Sequence, residues 1–202
     1  MNYIELSLEK LRTVSIEAAK KIQLNHHIDL ILYVARAGLP IAVYMNEILK
    51  CQILGISAVR KGNYVKSMLG KFMSYFPVFI RNGLIAIELK SKVHKENSNR
   101  NVVFHDSLKN IDTEKIKTIL IVDDSVDTGH SLNCVLEKVK VFFPDAIIKT
   151  YSLNVWEQSK ELVIVDYYTY KNTIIKSPMS KDSKEYQKFC LMYDKTTDNG
   201  YI

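Results

Sequence analysis

Three aspartates close together in the sequence carry the side chains best suited to chemistry. Asp123 and Asp124 directly follow the apolar run Ile119–Val122, and Asp127 stands a few residues later. Neighbouring carboxylates can accept hydrogen bonds from both hydroxyls of a cis-diol, and they are good ligands for a hard metal ion. A ligand of this cluster should therefore carry hydroxyl groups, a metal ion or both.

A short polar turn follows the aspartates and leads into a helix predicted over about 130–141. Gly129 lets the backbone approach a ligand closely, and Thr128 and Ser131 add hydroxyl donors. The first turn of a helix has unpaired N–H groups and a partial positive charge, which suit a phosphate. A ribose 5-phosphate group would match both features, because its hydroxyls suit the carboxylates and its phosphate suits the turn. The alternative, acids that only stabilise the helix dipole by about 0.3–1 kcal/mol per charge, does not explain the Thr-Gly that follows them.

The elements around this stretch predict a parallel α/β sheet. Residues 118–122 and 30–34 are typical of buried strands, and the second is followed by a helix over about 39–49 and a strand over 52–58. Strand, helix and strand form a βαβ unit, and ligands bind at the carboxyl edge of such sheets. The other predicted elements are a helix from Ser7 to about Ile22, strands at 102–104, 147–153 and 163–170, and a helix at 184–191 before a loose tail from Lys195.

The net positive charge of the chain is concentrated in one segment, residues 60–105. Between Arg60 and Arg100 there are nine basic and two acidic residues, a local charge of +7, whereas the whole chain carries +6. Apolar residues at helical spacing predict helices over about 65–76 and 77–92. We interpret the segment as a basic, partly helical insertion that serves as lid, hood or interface, with a solvated helical face as the alternative. Phe72 and Phe76 fall on the apolar face, so nucleic-acid binding is not favoured.

Length and composition predict one soluble domain over residues 1–202. The chain has no apolar run near the roughly 18 residues of a membrane span and no pattern of a secretory signal. The three widely spaced cysteines, Cys51, Cys134 and Cys190, suit a reduced compartment, so we expect a cytoplasmic protein. His26–His27 has no third ligand at metal spacing and is interpreted as part of a loop.

Three segments carry a resemblance to a known family. Ile119–Leu132 resembles the motif that binds 5-phosphoribosyl-1-pyrophosphate (PRPP) in type I phosphoribosyltransferases, and its Asp-Thr-Gly is similar to the 6-oxopurine branch. Tyr33–Pro40 resembles the pyrophosphate loop of the family, and Thr173–Pro178 resembles the base-binding segment of bacterial xanthine–guanine enzymes. The resemblance implies a type I phosphoribosyltransferase-like fold, in which helices flank a parallel sheet, here with the basic helical segment inserted.

The resemblance also implies roles for the residues of the PRPP motif. Asp123 and Asp124 would hold the ribose 2′ and 3′ hydroxyls, with Asp124 also near Mg²⁺, the implied cofactor. Asp127 would be the catalytic acid/base for the proton on the purine ring nitrogen. The implied phosphate cradle consists of Thr128, Gly129, His130 and Ser131.

The other two segments are given roles in the same way. Arg36 and Ala37 would bind the pyrophosphate, partly through a backbone held in an unusual conformation. Ile174 or Ile175 would pack on the base. The family places a lysine after the next strand to recognise an exocyclic oxygen, whereas this chain has Asn154 nearby. Because an amide has both donors and an acceptor, we expect a weaker preference for 6-oxopurines, with Trp156 as an alternative stacking residue.

The function implied is transfer of the 5-phosphoribosyl group from PRPP to a nucleobase-like nitrogen, with release of pyrophosphate and dependence on Mg²⁺. An alternative is a PRPP-sensing regulator that binds nucleic acid or a partner through the basic insertion. A third is a module whose insertion mediates oligomerisation. We expect a homo-oligomer whose ligands are PRPP and a small base, with no membrane association.

Overall fold

The computed structural model describes residues 2–60, 100–104 and 111–198. The predicted helices over 65–76 and 77–92, with nearly all of the basic segment, lie outside the described residues. The chain divides into a larger unit, residues 1–58 with 102–202, and a smaller one, residues 59–101, of which only the two ends are described.

The described elements form a mixed α/β arrangement around a six-stranded sheet. Its strand order is β4-β3-β2-β5-β6-β7, and the pairs β2–β3, β2–β5, β5–β6 and β6–β7 are parallel. A separate parallel pair joins β1 to β8. The elements are β1 (Asn2–Glu5), α1 (Leu8–Gln23), β2 (Leu30–Val34), α2 (Ala35–Leu49), β3 (Gln52–Arg60), β4 (Arg100–Phe104), β5 (Thr118–Val126), α3 (His130–Phe142), β6 (Ile147–Val155), β7 (Tyr167–Lys171), β8 (Thr173–Lys176) and α4 (Tyr186–Asp198).

Two apolar cores lie on opposite faces of this sheet, because side chains alternate along each strand. On one face, Ile31 and Leu120 pack with buried residues of α1 and α2. On the other, Leu32 and Ile121 pack with buried residues of α3. Since both faces are covered, β2 and the first half of β5 are almost continuously apolar. The sheet therefore presents its carboxyl edge, rather than a face, to ligands.

Several elements differ in extent from the sequence prediction. The helix after β2 begins at Ala35 rather than near Leu39, although Gly38 and Pro40 favoured a later start. Strand β5 runs on to Val126, so Asp123 and Asp124 lie within the strand and not after it. The helix α4 reaches Asp198, and the loose tail predicted from Lys195 is therefore wrong as far as the chain is described.

The N-terminal strand β1 was not predicted. Asn2–Glu5 is mostly exposed and has no apolar alternation, and its partner β8 stands near the other end of the chain. The pairing continues past the strand, since the N–H of Leu6 donates to the carbonyl of Lys176 over 2.9 Å. Among the described residues, no helix is long and apolar enough to cross a membrane.

Candidate active site at the carboxyl edge of the sheet

The two adjacent aspartates are held in the last part of β5. Asp123 is only 6% exposed, whereas Asp124 is partly exposed. The Oδ1 of Asp123 accepts a hydrogen bond from the N–H of Asp124 over 2.9 Å. Burial raises the pKa of Asp123 well above its usual range, and the charge of Asp124 raises it further. Burial also raises the pKa of Asp124. A cation or hydroxyl donors bound beside this pair would favour its charged form.

The third aspartate lies at the surface of the turn. Asp127 is exposed, and its Oδ1 accepts a hydrogen bond from the Oγ of Ser125 over 2.7 Å. This bond fixes one carboxylate oxygen and leaves the other able to face a ligand. Ser125 was not among the predicted site residues, although its place between the aspartates was a usable signal.

Gly129 sets the geometry of the turn between β5 and α3. Its φ is 81°, in the left-handed region that favours glycine, and it is the N-cap of α3. A Cβ at this position would lie 2.6 Å from Cγ1 of Val163 and 3.2 Å from the carbonyl oxygen of Ser159. Thr128 and His130 on either side are exposed. The turn therefore brings exposed polar residues and the N-terminus of α3 to the edge of the sheet beside the aspartates.

The second predicted phosphate-binding segment lies on the neighbouring strand. Strand β2 pairs with β5, and Tyr33 is in register with Val122. Helix α2 comes very near β5 at Gly38. A Cβ at this position would lie only 2.8 Å from the carbonyl oxygen of Val122. Arg36 stands in the first turn of α2, and its Cζ lies 4.4 Å from the centroid of the Tyr193 ring.

The unusual backbone expected at this segment is not found. Ala35–Gly38 is the first turn of a regular helix, and the described chain has neither a cis peptide bond nor a positive φ there. Ala37 is partly buried in the same turn. Helical geometry therefore extends back to β2, and Gly38 lets α2 pack directly against β5.

A cleft of about 240 Å³ opens beside Asp124. Its walls are the ends of β5 and β6, the residue Trp156 and strand β8 with the residue that follows it. Ile174 is 43% exposed, which leaves its side chain available to a ligand. The lining residues are Asp124, Ser125, Leu153, Asn154, Trp156, Thr173, Ile174, Ile175 and Ser177.

Asn154 lies in the wall of this cleft, but its amide already has partners. Its Nδ2 donates to the carbonyl oxygen of Thr173 over 2.9 Å, and its Oδ1 accepts from the Thr173 N–H over 3.4 Å. The side chain is 3% exposed. Asn154 therefore ties β6 to β8, and the sequence alone could not show this because the partner is main chain from a later strand.

Solved structures share this fold at low sequence identity. A purine phosphoribosyltransferase from Pyrococcus horikoshii Ot3 is 21% identical, with a TM-score of 0.57, over 91% of this chain and 97% of its own. A xanthine-guanine-hypoxanthine phosphoribosyltransferase from Helicobacter pylori is 18% identical, with a TM-score of 0.60, over 93% and 99%. A hypothetical protein from Neisseria gonorrhoeae with bound ppGpp is 12% identical, with a TM-score of 0.57, over 96% and 97%.

These likenesses confirm the predicted fold class, a mostly parallel central sheet flanked by helices as in type I phosphoribosyltransferases. No curated protein matches the sequence significantly. The phosphoribosyl transferase domain family, however, matches residues 6–180, which include β5, the turn at Gly129 and the cleft. This chain is therefore a member of the phosphoribosyl transferase domain family.

Proposed function

We propose that the protein transfers the 5-phosphoribosyl group of PRPP to a ring nitrogen of a nucleobase, with release of pyrophosphate. The observation that carries the proposal is the juxtaposition at the end of β5. Asp124 lies both next to a buried carboxylate and in the wall of a cleft sized for a single heterocycle. The N-terminus of α3 follows a few residues later. Ribose, phosphate and base would thus each meet groups of matching chemistry.

The ribose 5-phosphate would be bound by the motif of β5 and its turn. In this proposal Asp123 and Asp124 accept hydrogen bonds from the ribose hydroxyls. The 5′-phosphate meets the first N–H groups of α3, where the helix dipole favours an anion. Side chains of this turn would complete the phosphate cradle: Thr128, Gly129 through its backbone, His130 and Ser131.

The donor set fits the Mg²⁺ that the family implies. Two neighbouring carboxylates supply the hard oxygen ligands that Mg²⁺ prefers, and Mg²⁺ commonly combines one or two carboxylates with substrate oxygens. Burial raises the pKa of both aspartates, and a cation bound at Asp124 would favour their charged forms. When bound, the ion would neutralise charge on the leaving pyrophosphate.

Two further residues would act on the leaving group and the base. Arg36 and the backbone at Ala37 lie in the first turn of α2, next to β5, where they could contact the pyrophosphate. Asp127, oriented by Ser125, would take the proton from the ring nitrogen of the base as it attacks C1 of the ribose. The transition state of such a displacement is positively charged at the sugar, so nearby carboxylates would also stabilise it.

For the acceptor we propose a purine-like base between the β8 residues and Trp156. Ile174 and Ile175 would pack on its face. The described lining contains neither lysine nor arginine to read an exocyclic oxygen, and Asn154 is bonded to Thr173. We therefore expect modest discrimination between bases that differ only in such oxygens.

The test is turnover with Mg²⁺, PRPP and a panel of bases: hypoxanthine, guanine, xanthine, adenine, uracil and orotate. Nucleotide and pyrophosphate should appear in equal amounts with at least one base, and kcat/KM should vary little among the purines. Omission of Mg²⁺ should abolish both products. Absence of any product, with PRPP still bound, would contradict catalysis and favour the sensing alternative. A strong preference for one 6-oxopurine would contradict the account of the base site.

A further inference from the structure

The contact between Arg36 and Tyr193 joins the pyrophosphate segment to the C-terminal helix. The guanidinium carbon lies 4.4 Å from the ring centroid, well within the range of a cation–π interaction. The family match ends at residue 180, whereas α4 spans Tyr186–Asp198. The aromatic partner of Arg36 therefore comes from a part of this chain that follows the family domain.

Helix α4 packs against α2, and the residue just before it is bonded to the start of α1. Phe189 is 3% exposed and anchors the helix in the core. The hydroxyl of Tyr44 on α2 donates to the Sδ of Met192 over 3.7 Å. Just before α4, Oε2 of Glu185 accepts a hydrogen bond from the N–H of Leu8 over 2.6 Å. The ring of Tyr193 thus stands on a packed support, and its position is defined relative to α2.

The partner of Arg36 is uncharged, which matters for an arginine that has to bind an anion. Among the described residues, no carboxylate lies within ion-pair distance of Arg36, whereas Arg12 on α1 is neutralised by Glu47. A ring face attracts the guanidinium without cancelling its charge, and in-plane N–H donors remain for a bidentate oxyanion. The side chain of Arg36 is otherwise exposed, so it would lose rotamer freedom on binding a ligand.

We propose that Tyr193 is a positioning residue that orients Arg36 toward the pyrophosphate of PRPP. The inference rests on the proposed function, since it assumes that Arg36 meets pyrophosphate. Because part of the ordering of the arginine occurs before the ligand arrives, binding costs less entropy. Tyr193 would act only through Arg36 and would not touch the substrate.

The test compares ligands with and without the pyrophosphate group. Affinities for inorganic pyrophosphate, PRPP and ribose 5-phosphate are measured with Mg²⁺ for the parent protein and for Tyr193→Leu, Tyr193→Phe and Leu191→Ala. Tyr193→Leu should weaken pyrophosphate and PRPP about two- to fivefold, as for the loss of a partly exposed cation–π contact, and leave ribose 5-phosphate unchanged. Tyr193→Phe keeps the ring and should restore most of the affinity. Leu191, 62% exposed on the same helix, supplies the matched control.

A second background separates positioning from a general effect on α4. In Arg36→Ala, Tyr193→Leu should no longer change pyrophosphate affinity, because the side chain through which it acts is gone. The inference would be overturned if Tyr193→Leu lowered pyrophosphate affinity equally in the parent and in Arg36→Ala. It would also be overturned if Tyr193→Leu lowered the affinity for ribose 5-phosphate as much as that for pyrophosphate. If Tyr193→Leu binds pyrophosphate as tightly as the parent while Arg36→Ala does not, the role of Tyr193 is wrong and the proposed function stands. If the parent binds neither PRPP nor pyrophosphate, the proposed function fails.

Discussion

Two strand-to-helix turns lie side by side at the carboxyl edge of the sheet, and they are built in different ways. The turn from β5 to α3 has linking residues, a left-handed glycine at the N-cap and side chains bonded to one another within it. The turn from β2 to α2 has no linking residue, because Ala35 directly follows the strand, and its N-cap Val34 makes no side-chain capping bond.

The difference concerns where each turn finds its support. The first takes its conformation mainly from residues close together in the sequence, Ser125, Asp127 and Gly129, of which Gly129 also packs against Val163. The second takes its position from distant ones, since Gly38 fits against the carbonyl of Val122 and Arg36 rests on Tyr193. A change within the first turn should therefore affect the ligand groups it binds directly. A substitution near the second turn should act through packing, and the effect of losing any one contact there should be smaller than in the first turn.

The largest effect is expected from the proposed acid/base in the first turn. Asp127→Asn should lower kcat by about 10²–10⁴, the usual range for a lost general acid or base, with PRPP affinity largely kept. Single-turnover measurements with the best base, beside PRPP titrations, check this. Asp145→Asn changes another exposed aspartate outside the site and should have no effect. Equal losses of affinity and turnover would make Asp127 a binding residue instead.

The next effect distinguishes the ligand groups that the two turns are proposed to bind. Thr128→Ala and Ser131→Ala each remove a donor to a charged acceptor, which is worth about 1.5–3 kcal/mol. Both should weaken PRPP and ribose 5-phosphate alike, whereas Arg36→Ala should weaken PRPP and pyrophosphate only. Calorimetric titration with all three ligands gives the pattern. If the Thr128 variant lost affinity for pyrophosphate alone, the phosphate would not lie at the N-terminus of α3.

Glycine substitutions test the support of each turn. Gly38→Ala and Gly129→Ala should each lower the free energy of unfolding by about 1–3 kcal/mol, measured in urea. The Cβ on Gly129 meets the side-chain tip of Val163, so Val163→Ala should cost less in that variant than in the parent. The Cβ on Gly38 meets a main-chain oxygen, and no truncation of a side chain removes that contact. Equal coupling of both glycines to Val163 would contradict this distinction.

The smallest effect is a gain in stability. Folding raises the pKa of Asp123. Its contribution to the free energy of unfolding is therefore lost as the pH rises from its pKa in the unfolded chain, about 3.9, through its higher pKa in the folded protein. Without Mg²⁺ or PRPP at pH 8, Asp123→Asn should therefore raise Tm by about 2–4 °C. The gain in Tm should shrink on acidification, because the Asp123 carboxyl is then neutral in both the folded and the unfolded protein. A lower Tm for Asp123→Asn at pH 8 would show that interactions in the folded protein already stabilise the charged carboxylate of Asp123.

The sequence predicted the parallel sheet and the site on β5 because both depend on local patterns. Apolar runs identified β2, β5 and β6, and the aspartates with Thr-Gly identified the turn before α3. The predicted ends of elements were less accurate, since a polar residue such as Asp123 continues a strand when its backbone still pairs with a neighbour, here Ser152. The strand β1 was missed because its stability comes from β8 and not from its own pattern.

By itself, the sequence determined which chemistry the edge of the sheet can offer, because carboxylates, hydroxyls and a glycine N-cap are set by residues next to one another. Only the tertiary structure decided how distant groups share that edge. The amide of Asn154 is bonded to Thr173, and Arg36 lies over Tyr193. Such contacts depend on how β6, β8, α2 and α4 pack in three dimensions. No spacing along the chain encodes that packing, so the partner of each polar side chain had to be observed.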